Sequence, residues 1–479
     1  MTLMKNKILL ALVVFITIGS LYSCSDWLDV KPKSQVKDAE LFSTESGFKE
    51  ALSGVYSLLV TEPLYTKELR FGMAGVLARE WSYYTTVTGG YAGEESYDYT
   101  VSATENRIEA IWKGLYNTIT NANVILEVID SKKSILTEVN YNIIKGEALA
   151  VRAFCHFELL RYFGVSWTVN SSQPAIPYVK TYAPVQSPQL KVSQVIDKVL
   201  EDLNDAVELL KSDPIYTRKV ITELDDNGYL MNRQRHLNYY AVKGLQARAY
   251  LYKKDYINAK LCAREVINSG VFTWVSQNDM IAMNDPAGAT EQLWAIDVQS
   301  LSTIATNYFS SSSGSGVLPV YSERLAIYYG DERQDDYRYM YLFENGTGAN
   351  SNSRYLRKLY TPNLEDSYYR NKMTMLKLSE MYYIVAESCY YTTDDYMTPI
   401  NDVRHARGLN TASQPVNFIN FLTTEFRKDF LGEGQLFLFY KRQNMGSIYD
   451  SAADLIGLKA YTFPLPKSET QAAQREDNR

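Results

Sequence analysis

The chain has 479 residues, 46% hydrophobic and 22% charged, which is ample material for a core. Its net charge of −6 comes from 49 basic and 55 acidic side chains scattered along the sequence, so it carries neither a basic stripe for nucleic acid nor an acidic disordered tail. With only 3 histidines, far apart, no zinc-binding cluster is legible, and no cofactor motif is present. Tyrosine is the unusual residue, with 39 copies against 17 Phe and 6 Trp. Its ring is apolar and its tip hydrogen-bonds, which suits a surface that must be both sticky and wet.

Lys5 and Lys7 precede an uncharged run from Ile8 to Ile18 whose one polar residue is Thr17. The run is shorter than the roughly 20 apolar residues that a membrane span needs. A basic start, an apolar stretch and a small residue before the break make a secretory signal over residues 1–23. The break itself, Leu21-Tyr22-Ser23-Cys24, resembles the lipobox of bacterial lipoproteins. That resemblance implies that Cys24 becomes the acylated N-terminus, each buried CH₂ of its chains contributing about 0.8 kcal/mol of membrane affinity.

Helical periodicity then dominates, with segments expected at about 47–60, 105–130, 140–163, 192–210, 235–252, 255–269, 372–391, 397–407 and 416–432. The cleanest is "KVSQVIDKVLEDLNDAVELLKSDP", which Asp213-Pro214 stops. Cys155, Cys262 and Cys389 each sit inside such a pattern and read as small core hydrophobes. Ala247, Tyr250, Ala259 and Val266 match the small, aromatic, small, apolar spacing of a tetratricopeptide repeat, in which small residues let antiparallel helices approach closely.

Two stretches break this frame. Residues 79–100, "REWSYYTTVTGGYAGEESYDYT", and residues 271–371 are rich in Gly, Ser and Tyr, with "EQLWAIDV" expected as a short strand. Loops on rigid scaffolds are where binding residues concentrate.

Catalytic carboxylates are not evident. Glu380 and Glu387 share a helix face, but seven residues rise about 10.5 Å, against the roughly 5 to 9 Å of a glycosidase pair. They read as surface or interhelix ion-pair residues. "DDNGYL", Asp225 to Leu230, lacks the later glutamate of a calcium loop and reads as an Asn-Gly turn.

Several segments in order resemble the SusD/RagB family of Bacteroidota outer-membrane nutrient-binding lipoproteins. In the N-terminal half these are "DWLDVKPKSQV", "SGFKEALSGVYSLL", "IEAIWKGLYNTITNANVILE", "GEALAVRAFCHFELLRYFG" and "KGLQARAYLYKKDYINAK". In the C-terminal half they are "DERQDDYR", "MLKLSEMYYIVAESCY", "INDVRHARGLN", "EFRKDFLGEGQLFLFYKR" and "AYTFPLPKSE". The chain departs from the family pattern at Leu436, where arginine is common, and lacks its asparagine-rich ending. Ser25-Asp26 also resembles the acidic export signal of surface-exposed lipoproteins in these bacteria.

The resemblance implies one mainly α domain over residues 24–479: tetratricopeptide-like hairpins forming a scaffold, few short strands, and an irregular loop-rich layer facing the ligand. It implies a non-enzymatic, lipid-anchored protein of the outer membrane, facing the exterior. Such a protein captures an oligosaccharide or other nutrient and delivers it to a SusC-like TonB-dependent transporter. The alternative is a lipid-anchored helical scaffold that binds a protein and no nutrient. Sugar binding needs aromatic faces for the C–H face of a pyranose and planar polar groups for its hydroxyls. The family's ligand segments correspond here to Arg79, Glu80, Trp81, Tyr83, Tyr84 and Tyr91 in the first irregular stretch, and to Tyr308 and Tyr321 in the second. Trp81 with Tyr83 or Tyr84 is the expected platform and Arg79 its hydrogen-bonding partner, whereas Trp112, Trp274 and Trp294 read as packing residues.

Overall fold

Thr44 starts the first helix for a local reason: its extended backbone lets the hydroxyl accept from the Gly47 amide at 3.1 Å. Helix α1 (Glu45–Leu59) follows. Gly47 is required by packing, since a Cβ there would lie 1.6 Å from the Leu41 carbonyl oxygen. The computed structural model of the chain describes residues 40–82, 90–183, 185–311, 317–360, 370–451 and 453–479. Residues 1–23, Cys24, Tyr83 and Tyr84 lie outside these.

The scaffold continues with α2 (Ser102–Ile129), α3 (Glu138–Phe163), α4 (Val192–Leu209), α5 (Tyr239–Tyr252) and α6 (Tyr256–Asn268). Each packs on the next in sequence order, the arrangement of a helical-hairpin solenoid. Ala247 and Ala259 are fully buried where α5 meets α6, so the small residues serve close approach as their spacing predicts. Cys155, Cys262 and Cys389 are buried thiols.

Two short helices, α7 (Leu301–Phe309) and α8 (Ser322–Tyr329), lie in the mid-chain insertion. After it come α9 (Leu378–Tyr391), α10 (Met397–Ala406), α11 (Phe418–Phe430) and α12 (Gln435–Gln443). Helix α9 packs on α6 and extends the solenoid into the C-terminal half. One buried apolar cluster runs through both halves, from Phe42 to Leu465. No helix among the described residues is long and apolar enough to cross a membrane.

Strands are few and short. β1 (Pro174–Pro177) pairs antiparallel with β2 (Gln189–Lys191). β3 (Gln292–Asp297), the strand expected in "EQLWAIDV", pairs antiparallel with β7 (Lys372–Lys377). Between them β4 (Val320–Tyr321), β6 (Ser353–Leu356) and β5 (Phe343–Asn345) form a small antiparallel sheet in that order.

Two expectations change. Residues 372–377 form β7, not the start of a helix. All six are buried, and a strand covered on both faces shows no alternation for the period to reveal. Helix α12 was not among the expected segments, and it is set off from α11 by Gly432 and Gly434. Both have positive φ, 77° and 72°, and Gly434 is the residue from which α12 starts.

A buried ionic layer joins the insertion to the C-terminal helices. Arg407 at the end of α10 grips Glu291, just before β3, through both Nη atoms at 2.6 and 2.7 Å, and its Nε donates to Asp429 of α11 at 3.2 Å. Lys377 of β7 and Lys358 both donate to Glu433 at 2.9 Å. Arg338 bridges Asp336 and Glu425 of α11. Burial and the neighbouring Lys377 charge lower Lys358 to a pKa of about 8, against the attraction of Glu433.

Candidate functional site

The first irregular segment and the insertion meet along an aromatic seam. Helical turns over residues 73–77 bring the chain to Arg79, whose φ of 58° is left-handed and therefore strained for a side-chain-bearing residue. The strain is held by α8: Arg324 Nη1 donates to the carbonyls of Arg79 and Trp81 at 2.9 and 2.6 Å, and the Tyr328 hydroxyl donates to Arg79 at 3.1 Å. Ser82 then joins the two segments. Its amide donates to the Pro319 carbonyl, and its hydroxyl accepts from the Tyr321 amide, both at 2.9 Å.

Burial corrects the expected roles. Trp81 is 0% exposed, its Nε1 donates to the Phe71 carbonyl at 2.7 Å, and its ring packs 5.4 Å from Phe309. Gly75 makes room for it, since a Cβ there would fall 2.6 Å from Trp81 Nε1. A ring with no open face cannot stack on a sugar in this conformation, so Trp81 supports the seam from beneath. Arg79 is also buried, its guanidinium 5.0 Å from the Tyr97 ring centre and donating to the Glu95 carbonyl. It is a strut and not a sugar-facing donor.

Tyr91 is buried as well. Its hydroxyl donates to Glu68 at 2.9 Å and the Arg107 guanidinium lies 4.3 Å over its ring. Burial outweighs the attraction of Lys67 and Arg107 and raises the Glu68 pKa. Tyr308 is half-buried: its ring rests 5.1 Å from Phe71, with the Lys67 ammonium 5.6 Å from its centre. Tyr321 is 36% exposed at the Ser82 junction. Among the described residues, the seam's available aromatic faces are therefore those of Tyr308 and Tyr321.

Lys67, Glu68, Arg107 and Arg324 were not singled out from the sequence. Their roles at the seam rest on contacts with Tyr91, Tyr308 and the Arg79 and Trp81 carbonyls, which no local pattern marks. Of the three tryptophans expected to be packing residues, Trp112 and Trp294 are buried and Trp274 is half-buried against Tyr382.

Glu80 is fully buried below the seam, where its Oε2 accepts from the Gly432 amide at 3.1 Å. Burial raises its pKa from 4.5 to about 8. The folded protein keeps a proton that the unfolded chain releases, so Glu80 makes stability fall as pH rises from about 4.5 to about 8. In Glu80→Gln that component is removed, and the urea midpoint of the variant is expected to gain on the parent between pH 5 and about 8. Parallel midpoint curves across that range would contradict the buried-acid account.

The carboxylates considered for catalysis are held by arginines. Arg248 donates to both oxygens of Glu380 at 2.6 and 2.7 Å, and Arg442 grips both oxygens of Glu387. These are interhelical ion pairs. Asp226 accepts Lys49 and Asn140, and Asn227 takes φ 52°, the conformation of a turn. Among the described residues no cluster of His, Cys, Asp and Glu is disposed to hold a metal ion.

Comparison with known proteins places this geometry in context. A SusD-like family model, described as starch-binding and associating with the outer membrane, matches residues 26–222. SusD-like protein P25 of Formosa agariphila is 29% identical over 164 residues, covering 33% of this chain and 31% of that protein. SusD-like protein P38 of the same organism is 25% identical over 206 residues, 42% of this chain and 37% of its own length. These matches thus span about a third of the curated relatives.

Solved structures match far more of the fold. A SusD superfamily protein from Bacteroides thetaiotaomicron VPI-5482 superposes with TM-score 0.70 at 19% identity, covering 91% of this chain and 100% of that one. Surface glycan-binding protein A from Bacteroides uniformis gives TM-score 0.68 at 16% identity, covering 91% and 99%.

Proposed function

We propose that this chain is a SusD-like, non-enzymatic glycan-binding protein of the outer-membrane surface. The observation that carries the reading is the match of residues 26–222 to a family described as starch-binding. The seam adds a place for the ligand: Tyr308 and Tyr321 stand at the junction of two loop segments on a rigid helical frame. The bidentate arginine grips on Glu380 and Glu387 favour binding over hydrolysis, because neither carboxylate is open to serve as an acid or a nucleophile. Anchoring is assigned to an acylated Cys24, and delivery to a SusC-like TonB-dependent transporter, with the sugar passed on intact.

Isothermal titration against hexaoses of glucose in α-1,4 and β-1,4 linkage, of xylose and of mannose tests this reading. Tyr308→Ala/Tyr321→Ala should weaken the best ligand about tenfold or more, since aromatic contacts of this kind each contribute about 0.5–1.5 kcal/mol beyond the area they bury. A parent protein that binds no glycan in the panel, or that releases shortened products from one, would overturn the proposal.

A further inference from the structure

A second cleft lies against the outer face of α2, apart from the residues that build the seam. Its volume is about 390 Å³, within the range of small-molecule sites. One wall is a single helical stripe: Trp112, Tyr116 and Thr120 at four-residue steps, with Lys113 and Asn117 on the outer edge. The facing wall is formed by residues 185–187 and by Ser468, Glu469 and Arg475 near the end of the chain.

The floor has the chemistry that a pyranose needs. Its open aromatic face is the half-buried Tyr116 ring, with the buried Trp112 ring 4.7 Å away at 52° to support it. Tyr116 is fixed because its hydroxyl donates to the Pro177 carbonyl at 2.8 Å, while its ring remains half-buried. Trp112 is held from behind by Phe163, whose ring meets it edge-on at 4.9 Å. Trp112 is itself 4% exposed and remains a packing residue behind the cleft, as its helical stripe predicts.

The facing wall is preorganised. Arg475 forms a 2.5 Å ion pair with Glu469 and donates to the Ser187 carbonyl at 3.1 Å. Gln186 Nε2 donates to the Ala473 carbonyl at 2.8 Å. Gln189 exchanges two hydrogen bonds with the Glu476 backbone, at 3.1 and 3.0 Å. The 185–189 segment and the C-terminal segment are thus clamped to each other, which lowers the ordering cost of binding between them and α2.

Charge selects the ligand class. The Arg475 guanidinium is matched by Glu469, and the exposed Lys113 is paired with Glu109 at 2.6 Å. No net charge is left for a sulfate or uronate, while Asn117, Thr120, Gln186 and Ser187 supply neutral polar groups around the aromatic floor.

We propose that this cleft is a second binding site for a neutral oligosaccharide, a proposal that rests on the glycan-binding reading above. The test uses the same neutral hexaoses and three variants. Asn117→Ala alters an exposed polar edge and leaves the core untouched. Tyr116→Ala removes the open aromatic ring of the floor, and Tyr308→Ala/Tyr321→Ala disables the seam. The cleft variants should each weaken at least one hexaose, Tyr116→Ala by about tenfold or more, and the seam variant should retain that binding. If the seam variant abolishes all binding and both cleft variants bind as the parent does, the cleft proposal fails while the glycan reading stands. If the parent binds no hexaose, both fail.

Discussion

Arg338→Ala is expected to lower the unfolding free energy by about 3–5 kcal/mol, the usual result of removing one partner from a buried charge network. Arg338 is 1% exposed. It donates to the two oxygens of Asp336 at 2.9 and 2.7 Å and to Glu425 at 3.1 Å, and its Nη1 lies 3.6 Å from Asp429. Truncation leaves these carboxylates in the interior with less compensating charge. Urea denaturation followed by circular dichroism at neutral pH measures the loss, and an unchanged midpoint would refute the network's structural role.

The same network sets an acid limit. Against the desolvation that opposes ionisation, the Arg338, Lys428 and Arg404 cations hold Glu425 at a pKa of about 2, down from 4.5. Asp429 is held well below its ordinary value, chiefly by Lys377, Arg407 and Arg338 acting against burial. Depressed carboxyl pKa values stabilise the fold above their unfolded values, and that stabilisation disappears as pH falls through the folded ones. For Glu425 the window runs from about 4.5 down to about 2. In Arg338→Ala the acid transition should move to higher pH.

Gly434→Ala is the second large effect, expected at about 2–4 kcal/mol. At φ 72° a Cβ would lie 2.0 Å from the Leu69 carbonyl oxygen and 2.8 Å from the Arg70 Cα, so backbone must move. That backbone leads directly into Phe71, the ring beneath Tyr308. The variant should therefore melt earlier and, on the proposed function, also bind glycan more weakly at temperatures where it is still folded. Gly54→Ala is the control: beyond the backbone of α1 itself no atom lies within 4 Å of its Cβ position, and alanine favours helix there. Equal melting of the two variants would show that the close approach at Gly434 is not decisive.

The scaffold was legible because helices such as α4 and the α5/α6 hairpin bury one stripe, and a 3.6-residue period records which stripe. Glu380 and Glu387 could be read as ion-pair residues for a similar reason, since helix geometry fixes their separation. The site was much less legible. Trp81 and Tyr91 have the composition of a sugar platform, yet exposure depends on Phe309, Gly75, Glu68 and Arg107, residues brought in from other segments. Trp112 shows the opposite case, since its helical stripe marks it as buried and it is 4% exposed, while Tyr116 one turn on keeps a half-buried ring at the α2 cleft.

By itself the sequence determined the helical repeat frame, the strand in "EQLWAIDV", the turn at Asn227 and the resemblance that points to glycan capture. Each is carried by local spacing or by ordered motifs. Only the tertiary structure decided which aromatic faces remain open, that residues 372–377 pair with β3, and that the chain's C-terminal segment closes a cleft on α2. Those outcomes depend on contacts between residues far apart in the chain, and such contacts leave no period behind them.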